Sequence, residues 1–146
     1  MEQGMSAHII DGKKLSQELQ DKLAQQIALL PSIPHLAVIL VGNDEASIIY
    51  DRNKKKAAEK IGMKCTIHHL PEDTTQQDLL QLIDDLNADL SVNGIIVQMP
   101  LPKHLNSNVV IEHIAHTKDV DGFGVYNLGL LHSNNPSAMV AATPQA

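Results

Sequence analysis

From Asp11 onward, Leu15, Leu19, Leu23, Ile27 and Leu30 recur at three- and four-residue steps. That spacing predicts an amphipathic helix of about five turns, which Pro31-Ser32-Ile33-Pro34 ends. Leu36-Ala37-Val38-Ile39-Leu40-Val41 is a continuous apolar run closed by Gly42, the pattern of a strand buried on both faces. A second helix is expected from about Ala46 to Ile61, with Gly62 as its C-terminal stop. Met63 to Leu70 alternates like a short strand, and Thr74 to Leu86 reads as a helix opened by Thr74-Thr75-Gln76-Gln77. Gly94-Ile95-Ile96-Val97-Gln98-Met99 predicts a further strand, closed by Pro100-Leu101-Pro102. Asn106 or Ser107 then caps a short helix through about Ile114. From Ala115 to Gly124 the chain is polar and glycine-containing and reads as a loop at the sheet edge. The tail from His132 is rich in Asn, Ser and Pro, like a linker.

Strands alternating with helices of this length predict an α/β fold of three layers, α/β/α, with a mostly parallel sheet covered on both faces. The expected organisation is a leader and first strand over residues 1–10, a functional domain over 11–131 and a linker over 132–146. In open α/β sheets ligands lie outside the carboxyl ends of the strands. Three segments qualify: Gly42 to Ser47, Gln98 to Pro102, and Lys118 to Gly122.

Composition narrows the function classes. A chain of 146 residues, 43% hydrophobic and 19% charged, can bury one core. With 2% aromatic residues and no Trp there is no stacking platform for single-stranded nucleic acid, and a net charge of −6 argues against binding a phosphate backbone. No apolar run approaches the ~20 residues needed to span a bilayer, so no membrane partner is expected. Cys65 is the one cysteine and cannot form an internal disulfide, which fits a reducing compartment. The start Met1-Glu2-Gln3-Gly4-Met5 has no targeting pattern, so a cytoplasmic protein is expected.

Tyr50 and Lys54 are four residues apart on a helix and project from one face, about a turn beyond Ser47. A lysine in water titrates near ~10.4 and is a poor base at neutral pH; partial burial lowers that value, so chemistry at Lys54 requires a cleft. The alternative is that Lys54 merely begins the solvated run Lys54-Lys55-Lys56. Gln98 is the polar side chain at the carboxyl end of an apolar strand, and a buried amide must be hydrogen-bonded, either to the lysine or to nearby backbone. Asp119 and Asp121 share a loop; one of them can receive the paired donors of a heterocycle, and an ordinary Asp-rich turn is the competing reading. The eight histidines lack metal-ligand spacing, so no metal is expected. No Gly-x-Gly-x-x-Gly turn is present to bind a dinucleotide. That absence also weighs against a short-chain dehydrogenase, the other enzyme class with a Tyr-x-x-x-Lys pair.

Taken together, Val41 to Tyr50 followed by Lys54, Gly94 to Pro102, and Lys118-Asp119-Val120-Asp121-Gly122-Phe123 resemble bifunctional methylenetetrahydrofolate dehydrogenase/methenyltetrahydrofolate cyclohydrolase, in the right order and spacing. Ile10 to Lys13 and Lys56 to Gly62 fit as well. The resemblance implies one-carbon chemistry on tetrahydrofolate derivatives: oxidation of 5,10-methylene-tetrahydrofolate with NADP, then hydrolysis of the methenyl cation to 10-formyl-tetrahydrofolate. It implies that Tyr50 packs over the pterin and p-aminobenzoyl region and that Lys54 is the general acid/base. Gln98 would bond and tune that lysine, Asp121 would hold the amino-pyrimidine edge, and Ser47 and Pro100 would line the pocket. A homodimer is implied, formed partly through a second domain.

The sequence also departs from the pattern. Leu130 stands where the family has Arg after Asn127-Leu128-Gly129, and Asp51 stands where the family prefers an aliphatic residue, placing a charge beside the pocket helix. Ala142-Thr143-Pro144-Gln145-Ala146 corresponds to the segment leading into the family's Rossmann domain, so no cofactor-binding residue is expected in these 146 residues. NADP-dependent turnover by this chain alone is therefore not expected, whereas cyclohydrolase chemistry needs only water, Lys54 and oriented substrate. The reading from another class is a non-catalytic folate-binding or interaction domain.

Overall fold

The computed structural model describes residues 11–141; the leader and first strand expected over 1–10 lie outside the described residues. The first helix, α1 (Gly12–Ile27), starts where the Asp11 carboxylate accepts from the Lys14 backbone N–H at 3.0 Å. Strand β1 (His35–Val41) follows, then α2 (Glu45–Lys60), β2 (Lys64–Leu70), α3 (Gln76–Ala88), β3 (Gly94–Val97), α4 (Ser107–His113) and α5 (Val125–His132). Thr75 caps α3 and Asn106 caps α4, settling the choice between Asn106 and Ser107. Helix α2 ends in a Schellman turn: Met63 N donates to Ala58 O and Gly62 N to Glu59 O, with Gly62 at φ +88°.

The three strands are parallel in the order β2-β1-β3. Because β1 is central, the two-residue period of its side chains serves two cores. Ala37, Ile39 and Val41 pack with Leu79, Ile83, Leu86 and Val110 of α3 and α4, while Val38 packs with Ala58 of α2 and Cys65 of β2. This is the expected α/β/α layering, with α2 on one face and α3 and α4 on the other. The loop at the sheet edge is anchored there by a parallel bridge between Ile95 and Asp119.

Two features go beyond the sequence reading. The stripe of α1 does not enter the core: none of its residues is buried, and Leu15 and Leu19 remain 51% exposed. The sheet faces are already covered by α2, α3 and α4, so α1 lies outside, tied to the end of α2 where Lys60 Nζ donates to Gln17 and Gln20. Helix α5 was not expected, and the proposed boundary at residue 132 falls on its last residue. Its N-cap is Gly124, which offers no side-chain acceptor, and most of its apolar side chains are exposed, so neither a cap signal nor a clear stripe marks it. Beyond α5 the chain returns to the 119–124 loop, where Met139 N donates to Asn127 and its carbonyl lies where a Cβ on Gly122, at φ +70°, would stand.

Candidate active site

The carboxyl ends of β1 and β3 are adjacent, and Gln98 N donates to Ile39 O at 2.8 Å, placing the Gln98 side chain just beyond the sheet. Helix α2 leaves the end of β1 through Gly42 to Asp44. The Asp44 carboxylate caps the helix by accepting from Ser47 N at 2.8 Å, and hydrogen bonds from Ser47 hold the Asp44 carboxyl below the usual carboxylate range. Ser47 is buried in this turn. Lys54 is thereby aimed at the end of β3, where its Nζ donates to Gln98 Oε1 at 2.5 Å. The same amide donates through Nε2 to Met99 O at 3.0 Å, so Gln98 satisfies both partners weighed from the sequence. Lys54 is not a member of a uniformly solvated run: its side chain is 31% exposed, against 46% for Lys55.

Beneath the lysine lies Asp51, whose side chain is 1% exposed and whose Oδ1 is 3.5 Å from Lys54 Nζ. Burial pushes its carboxyl above the usual range, opposed by Lys54 and more weakly by His69. The departure noted at residue 51 thus places a charge inside the layer between α2 and the sheet.

The two aspartates of the third segment divide their roles. Asp119 is buried, and its carboxylate accepts from Gly122 N at 2.9 Å, Gly124 N at 2.9 Å and Asn127 Nδ2 at 2.8 Å. It builds the turn. Asp121 receives none of these donors; desolvation pushes its carboxyl upward, the Lys54 charge pulls it down, and Asp119 adds to the rise. Lys54 and Asp121 therefore share one electrostatic neighbourhood. Tyr50 stands 66% exposed beside them, and Pro100, which follows a cis peptide bond after Met99, is exposed at the mouth of β3.

Val41 to Asp44, Glu72 and Pro100 to Pro102 enclose an open cavity of about 350 Å³ between the ends of β1 and β3. Another, of about 300 Å³, lies between α4 and α5, and neither cavity is lined by Tyr50, Lys54 or Gln98. The concentration of oriented polar groups, rather than enclosed volume, marks the site. Among the described residues no three His, Cys, Asp or Glu side chains group to hold a metal ion, and no helix is long and apolar enough to cross a membrane.

A sequence profile described as the tetrahydrofolate dehydrogenase/cyclohydrolase catalytic domain matches residues 10–121. The chain belongs to this family. The bifunctional protein FolD of Legionella pneumophila strain Paris is 47% identical over 136 residues, covering 90% of this chain and 48% of the relative. FolD of Neisseria gonorrhoeae strain NCCP11945 is 48% identical over 145 residues, covering 97% and 51%. The solved FolD methylenetetrahydrofolate dehydrogenase/cyclohydrolase of Campylobacter jejuni superposes with a TM-score of 0.90 at 44% identity, covering 92% of this chain and 49% of that one. The 5,10-methylenetetrahydrofolate dehydrogenase of the silkworm Bombyx mori gives 0.92 at 40%, covering 96% and 49%. The chain spans about half the length of the FolD relatives it matches.

Of the candidates named from the sequence, the fold brings Lys54 and Gln98 into contact and sets Asp121 within reach of the lysine's charge, whereas the sequence did not show Asp51 as a buried neighbour of the lysine. The three-residue step from Asp51 to Lys54 was the available signal.

Proposed function

We propose that this chain is the tetrahydrofolate-holding catalytic part of a methylenetetrahydrofolate dehydrogenase/methenyltetrahydrofolate cyclohydrolase, with residues 11–131 as the folate unit and 132–146 as a connecting segment. The observation that carries the reading is the Lys54 Nζ to Gln98 Oε1 hydrogen bond, which fixes an amine at the joined ends of β1 and β3. Tyr50 and Asp121 flank it on the open side.

Tyr50 provides an apolar wall against the planar part of the substrate, and Asp121 accepts paired N–H donors from the amino-pyrimidine edge. Ser47 and Pro100 shape the rim. In the hydrolytic step water adds to the cationic methenyl carbon between N5 and N10. A proton from that water passes to the amine of Lys54, giving a neutral carbinolamine. The C–N5 bond then breaks as N5 takes a proton from Lys54, and loss of the remaining hydroxyl proton leaves the N10-formyl group. Atoms balance as methenyl cation plus water giving 10-formyl-tetrahydrofolate plus one proton. Gln98 keeps the Nζ on one side of the reacting carbon, where the same amine serves both transfers.

The solved relative from Trypanosoma brucei is described as complexed with NADP cofactor and inhibitor. The described residues of this chain do not fit a nicotinamide dinucleotide. The N-terminus of α2, the natural phosphate site after β1, is filled by its own Asp44 carboxylate and followed by Glu45. Oxidation of the methylene substrate is accordingly proposed for the whole enzyme, and no step of it is assigned to residues here. A cytoplasmic location and a homodimeric assembly belong to the same reading.

The test is the decay of methenyl-tetrahydrofolate absorbance with this chain and no nicotinamide cofactor, corrected for spontaneous hydrolysis. Acceleration above the spontaneous rate supports a cyclohydrolase; folate binding without acceleration assigns a binding domain. Asp121→Asn is expected to weaken folate affinity by about 10-fold or more, the scale of a lost hydrogen bond to a charged group. Because the Asp121 carboxyl is raised in the fold, binding through its ionised form declines as the pH falls toward that raised value, sooner than for an ordinary carboxylate. Calorimetric titration across pH checks both, with the dependence absent in Asp121→Asn.

A further inference from the structure

Asp51 is the most deeply buried ionisable side chain near the site, and its surroundings give it no structural task. Neither carboxylate oxygen has a hydrogen-bond donor, and a buried charge left in that state costs stability rather than supplying it. What it faces is mapped by the elements around it. On its own helix, Lys54 Nζ is 3.5 Å away. From β2, His69 reaches it electrostatically while its Nε2 donates to Gly42 O at 2.7 Å, and the Cys65 thiol, itself pushed up by burial, feels the Asp51 charge. From the end of β3, Gln98 holds the far side of the same lysine, and from the 119–124 loop Asp121 feels the Lys54 charge.

We propose that Asp51 is a positioning residue for the proton on Lys54: its buried carboxylate and the Gln98 amide grip the amine from two sides and favour its ammonium form. The inference deepens the cyclohydrolase reading and rests on it for its functional meaning, since the amine that takes a proton from the attacking water must hold it until N5 receives it. The geometry suits the role. The i, i+3 spacing sets both groups on one face of α2, and the sheet keeps water from the carboxylate, so its charge acts at close range in a poorly screening medium. Lys54, only partly exposed, stands between Asp51 inside and the substrate face outside. The raised carboxyl of Asp51 gives the grip a pH sense: it is strongest where Asp51 is ionised and relaxes as that carboxyl gains a proton.

The test is direct titration of the Lys54 Cε resonance by carbon NMR, assigned by its loss in Lys54→Ala, in the native chain and in Asp51→Asn and Asp51→Val. Asp51→Asn preserves shape and Asp51→Val removes polarity altogether; both delete the charge, and neither leaves a buried charge unpaired. The midpoint of the Lys54 resonance is expected to move to lower pH by about one unit or more in both variants, and the limb of the hydrolysis pH profile governed by that lysine should move with it. An unchanged midpoint in both variants overturns the inference. Hydrolysis by the native chain is read separately: a shifted midpoint in a chain that never hydrolyses methenyl-tetrahydrofolate sustains the Asp51 to Lys54 coupling and rejects the cyclohydrolase reading.

Discussion

Lys54→Ala is expected to reduce methenyl-tetrahydrofolate hydrolysis by about 100-fold or more, the usual worth of a positioned acid/base group, while leaving folate affinity within a few-fold of native. The reasoning is local. Lys54 is the amine held at the joined strand ends, whereas affinity is assigned to Tyr50, Asp121 and the rim. Its removal also strands Gln98 Oε1, which is partly exposed and can be met by water, so the fold should survive. It leaves Asp51 without its nearest cation, which raises that carboxyl further and makes it neutral over a wider pH range. Stopped-flow absorbance together with calorimetric binding separates the two effects. A variant that binds poorly and hydrolyses in proportion would make Lys54 a binding group instead.

Asp119→Ala carries the second large expectation, on stability and on the site together. The Asp119 side chain is 4% exposed and receives three donors that no nearby group replaces. Leaving buried donors unpaired costs roughly 1–3 kcal/mol each, softened where the loop opens to water, so a loss of about 3 kcal/mol is expected. For a domain of this size that lowers Tm by on the order of 10 °C. Folate affinity should fall as well, because Asp121 is carried by the loop that Asp119 closes. Asp119→Asn should recover only part of the loss: its amide oxygen can still accept from Gly122 N, but its NH₂ meets the N–H groups of Gly124 and Asn127. Thermal melts of both variants, each paired with a folate titration, check the ordering native, Asn, Ala.

The sequence made the layers legible because their signals are local. Asp11, Thr75 and Asn106 announce helix starts through short-range capping, and the uninterrupted apolar run of β1 reflects burial on both faces. Gln98 stood out because it is polar at the end of an apolar strand, but its partner lies 44 residues away, and only the adjacency of β1 and β3 brings them together. Asp119 and Asp121 are chemically identical in the sequence; the loop's own N–H groups decide that the first is consumed by the turn. Asp51 was visible as a departure, yet nothing short of the packed layer shows that it faces inward. The stripe of α1 marked the helix but not its setting, because periodicity reports an apolar face without saying what covers it, and α5 escaped because a glycine cap and dispersed apolar residues leave no stripe to find.

The measurement that tests the central claim most directly is amide chemical-shift mapping of this chain with 5-formyl-tetrahydrofolate, which resists hydrolysis during the experiment. The account predicts that the amides of Tyr50, Lys54, Gln98 and Asp121 move together with a single binding curve, and that Asp121→Asn weakens that curve without moving its location. Perturbations confined to the cavity between α4 and α5, or no saturable change at these four positions, would contradict it.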